Sequence, residues 1–334
     1  MMNVLKAAVA ASFVLAAPAA QAEEASYILA TASTGGTYYP VGVALSTLVK
    51  VKLEPSESIG MSAISSAGSD ENIRLLREGE AQFAILQGLY GYYAASGTGP
   101  LEGSGPQTEL RAVSMLWQNV EQFVVAADAV DTGTMADFVA LKGDSVALGA
   151  QNSGTLGSNA TLLAGLGANV DTDYELVYGG YGPSADALQN GQVRGISIPA
   201  GVPTGAISQL YAGSGDNVQM LDFTAEEIAA ADGGRELWTP YLIPAGTYPG
   251  QTEDINTIAQ PNFLATTADL PEENVYLITK AIYENLDFLK AIHPATKVMA
   301  IEQAIAGLPV PLHPGAQRYY EEVGVTIPDR LIAK

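Results

Sequence analysis

The residues best suited to chemistry form clusters of small polar residues and glycines at four predicted helix starts: 34–37, 68–70, 153–155 and 201–203. The first backbone N–H groups of a helix lack intrahelical acceptors and lie at the positive end of its dipole, so they bind an anion without a cation. Each cluster follows a predicted strand, where open α/β sheets bind ligands. One cluster alone identifies no site, because every helix needs a cap. Together, the four predict a site for a small anion.

Other chemistries find less support in the sequence. The two histidines, His293 and His313, both precede Pro and lack metal-site spacing, so a turn or packing role fits them better. Residues 149–155 have the glycine spacing of a P-loop but lack its Lys. A secreted hydrolase that uses carboxylates at the same candidate site is the alternative hypothesis. The acids near predicted strand ends that it would use are Glu71, Asp173, Glu175 and Asp186.

The composition limits the partners. The chain has 334 residues, with 15 Lys and Arg against 36 Asp and Glu, a net charge of −21. This excess of acids disfavours binding to nucleic acids and to anionic membrane surfaces. The absence of Cys excludes disulfides, thiolate metal sites and lipid attachment through an N-terminal Cys. Because 48% of the residues are hydrophobic, the chain can form substantial cores.

The N-terminus has the pattern of a cleaved signal peptide over residues 1–22. Lys6 provides a positive charge, an apolar run follows at 7–17, and Ala-Gln-Ala at 20–22 fits a cleavage site. The run is shorter than the roughly 20 residues that span a bilayer. We therefore expect an exported protein without a lipid anchor.

The elements that must position the clusters alternate between strands and helices. Strands are predicted at 27–32, 59–65, 81–86, 123–127, 145–149, 175–178, 193–198 and 255–266. Helices are predicted at 40–50, after Ser69 as N-cap, at 134–141, from 153 to about 166, at 184–189, at 205–211 and in the tail after Pro271. This alternation predicts parallel sheets with crossover helices, arranged in two lobes.

Several motifs together resemble the TAXI-type solute-binding subunit of TRAP transporters. They are 34–42 (TGGTYYPVG), 68–76 (GSDENIRLL), 79–81 (GEA), 84–87 (AILQ), 153–155 (SGT), 201–203 (GVP), 248–250 (YPG) and 313–316 (HPGA). The resemblance covers nearly the whole chain after residue 22. It implies an α/β, two-lobed periplasmic binding protein type II fold with the ligand cleft between the lobes. The lobe boundaries expected from it are 23–119 plus 257–334 for lobe 1 and 120–256 for lobe 2.

The resemblance also implies a function. The ligand would be a small organic anion or amino acid, notably a dicarboxylate such as glutamate or 2-oxoglutarate. A monomer in the periplasm would deliver it to small and large TRAP membrane subunits, separate or fused, without catalysis. We expect no cofactor and assign no residue to a metal site, and whether a metal ion accompanies the ligand stays open. The same fold could instead serve a ligand sensor, and the sequence does not separate sensing from transport.

The family motifs assign the ligand site to small polar, glycine and tyrosine residues. They are Thr34, Gly35, Gly36, Thr37, Tyr38, Tyr39, Ser66, Ser69, Asn72, Gln87, Ser153, Gly154, Thr155, Gly201 and Pro203. The segment 192–195 departs from the family pattern, which has an acid there. Two roles stay open for its Arg194, a surface residue or an extra contact to the anion.

Overall fold

The computed structural model describes residues 24–333, so the predicted signal peptide lies outside the described residues. The strands are β1 (Ala25–Ala30), β2 (Ile59–Ile64), β3 (Phe83–Gln87), β4 (Leu110–Val120), β5 (Phe123–Ala126), β6 (Ser145–Ala147), β7 (Glu175–Leu176), β8 (Gly195–Ser197), β9 (Val218–Met220), β10 (Thr239–Ile243) and β11 (Ile255–Thr267). The helices are α1 (Tyr38–Lys52), α2 (Glu54–Glu57), α3 (Ser69–Arg77), α4 (Gly88–Ser96), α5 (Met135–Ala140), α6 (Gly154–Gly165), α7 (Val170–Asp173), α8 (Tyr181–Gln189), α9 (Gly205–Ser214), α10 (Ala225–Asp232), α11 (Glu272–Glu284), α12 (Leu286–Ile292) and α13 (Pro314–Glu322). None of these helices is long and apolar enough to cross a membrane.

Two sheets organise the chain, one in each lobe. The first has the order β10-β11-β3-β1-β2, with β4 on the other side of β11, and the second has the order β7-β6-β8-β5-β9. Strands β1, β2 and β3 pair in parallel, as do β6, β7 and β8. Strands β4, β5, β9, β10 and β11 pair in antiparallel fashion. The parallel pairing predicted from the strand–helix alternation is thus found for β1–β3 and for β6–β8, whereas each sheet as a whole is mixed.

Buried apolar residues explain why β3 and α1 form and where they pack. Strand β3 is buried along its whole length, as expected for a strand covered on both faces. Helix α1 buries Val41, Leu45 and Leu48 against the first sheet, at helical spacing. Apolar residues of both sheets join in one large core, and a second core covers the other face of the second sheet. The lobes are thus packed against one another as well as internally.

The connection between the lobes runs through β4, β5 and β11. Strand β4 ends at Val120 in the first sheet, and the second sheet begins three residues later at Phe123. Strand β10 pairs with β11 in the first sheet, although it lies within the range 120–256 expected for lobe 2. The residue boundaries of the lobes stay a prediction.

Both histidines act as helix caps. His313 Nδ1 accepts a hydrogen bond from Gly315 N (3.1 Å), and His313 Nε2 lies 3.1 Å from Leu270 O, an acceptor to which it donates. His293 Nδ1 accepts from Ala295 N (3.1 Å). Burial lowers the pKa of both side chains. These contacts match the turn and packing role expected from the sequence.

Candidate functional site

Five helices begin at one cavity of about 230 Å³ between the two sheets. The residues that precede α1, α3, α4, α6 and α8 all line it. They are Thr37, Gly68, Gln87, Ser153 and Gly180. Each of these helices has nine residues or more. Their positive dipole ends therefore meet at one point, which favours a negatively charged ligand.

The first wall of the cavity comes from the start of α1. Thr37 Oγ1 accepts a hydrogen bond from Gly201 N (3.0 Å) and lies 3.2 Å from Gly201 O, so it joins the two lobes. Tyr38 OH donates to Asn262 Oδ1 on β11 (2.5 Å). Burial raises the pKa of Tyr38 well above its usual value, so its hydroxyl stays a neutral donor.

The second wall comes from the starts of α3 and α4. Ser69 is the first residue of α3 and not its N-cap, which is Gly68. Ser69 Oγ accepts from Gln87 N (3.0 Å) and so holds the end of β3 against α3. The Gln87 side chain is buried, and its Oε1 has no hydrogen-bond partner within residues 24–333. Leaving a buried acceptor without a hydrogen bond costs about 1–3 kcal/mol of stability. Gln87 Oε1 could therefore accept a hydrogen bond from a hydroxyl or amino group of a ligand.

The second lobe contributes the starts of α6 and α8. Ser153 Oγ accepts from Leu156 N (3.0 Å), which caps α6. Tyr181 OH donates to Pro199 O (2.6 Å) and lies 2.9 Å from Thr155 Oγ1. Its ring closes against the first lobe, because a Cβ on Gly36 would lie 2.9 Å from two of its carbons. Only glycine at position 36 permits this approach.

Nine of the predicted site residues line the cavity, and the other six do not. The lining residues are Gly36, Thr37, Tyr38, Ser66, Ser69, Gln87, Ser153, Gly154 and Thr155. The residues that do not line it are Thr34, Gly35, Tyr39, Asn72, Gly201 and Pro203. Asn72 is instead a buried brace, whose Nδ2 donates to Thr31 O (2.7 Å) and Ile85 O (2.9 Å). Gly201 serves as the partner of Thr37.

Sequence reasoning missed the contribution of α8. The prediction began this helix at Ser184, whereas the structure begins it at Tyr181, next to the lining residues Gly179 and Gly180. Two adjacent glycines followed by an aromatic residue, Gly-Pro and a helical pattern were the available signal. Arg194 does not line the cavity and pairs with Asp128 (2.8 Å) at the surface.

The lining carries no charged side chain within the described chain. The acids considered for hydrolysis do not line the cavity. Glu71 Oε2 accepts from the backbone N of the lining residue Ala67 (2.6 Å), and Asp173 pairs with Lys142 (2.9 Å). Neither these nor Glu175 and Asp186 face the cavity. The site therefore offers neutral donors and helix ends, which suit binding and not acid–base catalysis.

Solved structures share this two-lobed architecture. MatC from Rhodopseudomonas palustris with bound malate has 16% identity and a TM-score of 0.53, covering 89% of this chain and 96% of that chain. A binding protein component of an ABC phosphonate transporter from Pseudomonas aeruginosa has 9% identity and a TM-score of 0.51, covering 81% and 78%. At these identities the likeness shows the fold, which is that of the type II periplasmic binding proteins.

The sequence itself shows the family. The sequence profile of the NMT1-like family matches residues 29–324. The match includes every residue that lines the cavity. The chain therefore belongs to the NMT1-like family, that of the TAXI-type TRAP substrate-binding proteins, and it is a binding protein for transport and not an enzyme.

Proposed function

We propose that the chain captures a small organic anion, a dicarboxylate such as malate, glutamate or 2-oxoglutarate, in the cavity between its lobes. The observation that carries this proposal is the meeting of five helix N-termini at a cavity that no cation of residues 24–333 lines. Helix ends and hydroxyl donors stabilise a carboxylate locally, and each hydrogen bond to a charged group contributes about 1.5–3 kcal/mol.

The cavity size supports a small ligand. Its volume of about 230 Å³ is below the roughly 300–1,000 Å³ typical of pockets for drug-sized molecules. The malate bound to MatC, a protein of the same fold, is consistent with a ligand of this class. Donors come from both lobes, so both carboxylates of a short dicarboxylate would find partners.

We further propose that residues 1–22 direct export and that the mature monomer works in the periplasm. It would pass its ligand to small and large TRAP membrane subunits. Family membership supports this role. The excess of acids over cations in the whole chain does not oppose it, because one small anion is held by local dipoles and not by the field of the whole surface.

Isothermal titration calorimetry on the mature chain tests the ligand class and the site together. We expect malate, glutamate or 2-oxoglutarate to bind, and sugars and inorganic cations to give no heat. Gly154→Ala is expected to weaken binding at least tenfold, because the new Cβ would lie 2.7 Å from Ser69 Cβ and 2.9 Å from Gln87 Oε1. Gly182→Ala is the matched control, since a Cβ there meets no described atom within 4 Å. Binding confined to sugars or cations, or equal affinities for the two variants, would contradict the proposal.

A further inference from the structure

Glu121 is a buried carboxyl at the connection between the two sheets. It lies between β4 and β5 and is 1% exposed. Its Oε1 accepts hydrogen bonds from Trp238 Nε1 (3.0 Å) and Gln260 Nε2 (3.4 Å). Its Oε2 is buried without a partner in the described part of the chain. An ionised Glu121 would lack hydrogen-bond donors for Oε2 and would carry its charge in a buried position. A protonated Glu121 avoids the free-energy cost of burying that charge.

Strand β11 links Glu121 to residues next to the cavity. Gln260 Oε1 accepts from Leu89 N (2.9 Å) in the first turn of α4, the helix that follows the lining residue Gln87. Asn262, two residues further along β11, accepts from the hydroxyl of Tyr38. Residues i and i+2 of a strand share a face and lie about 7 Å apart. Glu121 is therefore joined through the single side chain of Gln260 to the first turn of α4, next to the lining residue Gln87.

Among residues 24–333, no cation contributes to the pKa of Glu121. The groups that face it are Trp238 before β10 and Gln260 on β11, with the tyrosines of α1 and α8 within electrostatic reach. Glu121 contributes to raising the pKa of Tyr38 and Tyr181, both of which line the cavity. No Lys, Arg or His of the described residues contributes to the pKa of Glu121, which burial raises to about 7. An anion in the cavity and an ionised Glu121 would therefore repel each other, because Glu121 already acts electrostatically on two lining tyrosines.

We propose that Glu121 is a proton-linked positioning residue, which takes up one proton from solvent when an anion occupies the cavity. The proton binds a carboxylate oxygen and leaves Glu121 as a neutral carboxyl. This inference rests on the proposed function, because it needs an anionic ligand. Its consequence is that anion affinity falls as the pH rises above about 7, by up to tenfold per pH unit.

Malate is the probe, because its two carboxyls stay ionised at every pH used. Calorimetry at pH 6 and pH 8.5 is expected to show about tenfold weaker binding to the unmodified chain at the higher pH. Glu121→Gln keeps the acceptor Oε1 and places an NH₂ at the unpartnered position, so its Kd should be the same at both values. Glu102→Gln, at an exposed site, should keep the pH dependence.

The number of protons taken up gives a readout that needs no variant. Titrations at pH 8 in two buffers of different ionisation enthalpy should show uptake of up to one proton per malate bound. Malate binding with the same Kd at both pH values and no proton uptake would overturn the inference and leave the proposed function standing. Absence of malate binding at both values would instead contradict the proposed ligand class, on which the inference depends.

Discussion

Replacing Glu121 by Gln should stabilise the protein at high pH and not at low pH. Burial raises the pKa of Glu121 to about 7 from an ordinary value of 4.5. The folded state then holds this proton more tightly than the unfolded state does. Stability from this group is present below about pH 4.5 and is lost as the pH rises to about 7. Each unit of pKa difference between the two states corresponds to about 1.4 kcal/mol, so the free energy of unfolding falls by about 3 kcal/mol across this pH range.

The assay is urea unfolding at pH 5, 6.5 and 8 for the unmodified chain and for the variant. The two proteins share every other titrating group, so their difference isolates Glu121. The free energy of unfolding of Glu121→Gln should exceed that of the unmodified chain by about 2–3 kcal/mol more at pH 8 than at pH 5. Glu102→Gln should show no such widening. If the free energies of unfolding of Glu121→Gln and of the unmodified chain differ by the same amount from pH 5 to pH 8, Glu121 is not an uncompensated buried carboxyl.

Three further changes test individual contacts. Thr37→Ala removes both contacts to the Gly201 backbone and should weaken dicarboxylate binding by about 1–3 kcal/mol in calorimetry; unchanged affinity would show that this contact does not support capture. Tyr181→Phe leaves Pro199 O without its donor and should lower the free energy of unfolding by about 1–3 kcal/mol in urea, with Tyr92→Phe, exposed on α4, as the neutral control. His313→Asn should destabilise the chain at pH 8, because the cap of α13 is lost. It should also reduce the loss of stability below pH 6.5, because burial lowers the pKa of His313 and protonation removes the Nδ1 acceptor. An unchanged pH profile of the free energy of unfolding would contradict that role.

Local signals in the sequence predicted three of the five helix starts at the cavity. The starts of α1, α3 and α6 carry a Gly, Ser or Thr cluster after an apolar run, and these signals depend on a few neighbouring residues. The predicted fourth cluster, 201–203, precedes α9 and does not line the cavity. Its Gly201 packs tightly, since a Cβ there would lie 2.5 Å from Ala295 Cβ and 2.9 Å from the Trp117 ring.

The start of α4 was not predictable from local sequence. Residues 88–96 contain two glycines and no capping side chain of their own. The first turn is instead stabilised by Gln260, whose side chain accepts from Leu89 N across the sheet. Strand β4 was missed for a related reason. It is buried along most of its length and pairs with β11 far along the chain, so neither alternation nor a hairpin turn marks it.

The central claim is that helix N-termini from both lobes hold a small anion in one cavity. A crystal structure of the mature chain with a bound dicarboxylate tests it most directly. We predict carboxylate oxygens about 2.7–3.2 Å from backbone N–H groups in the first turns of α3 or α4 on one side and of α6 or α8 on the other. A dicarboxylate bound outside this cavity, or held there by cationic side chains and not by helix ends, would contradict the account.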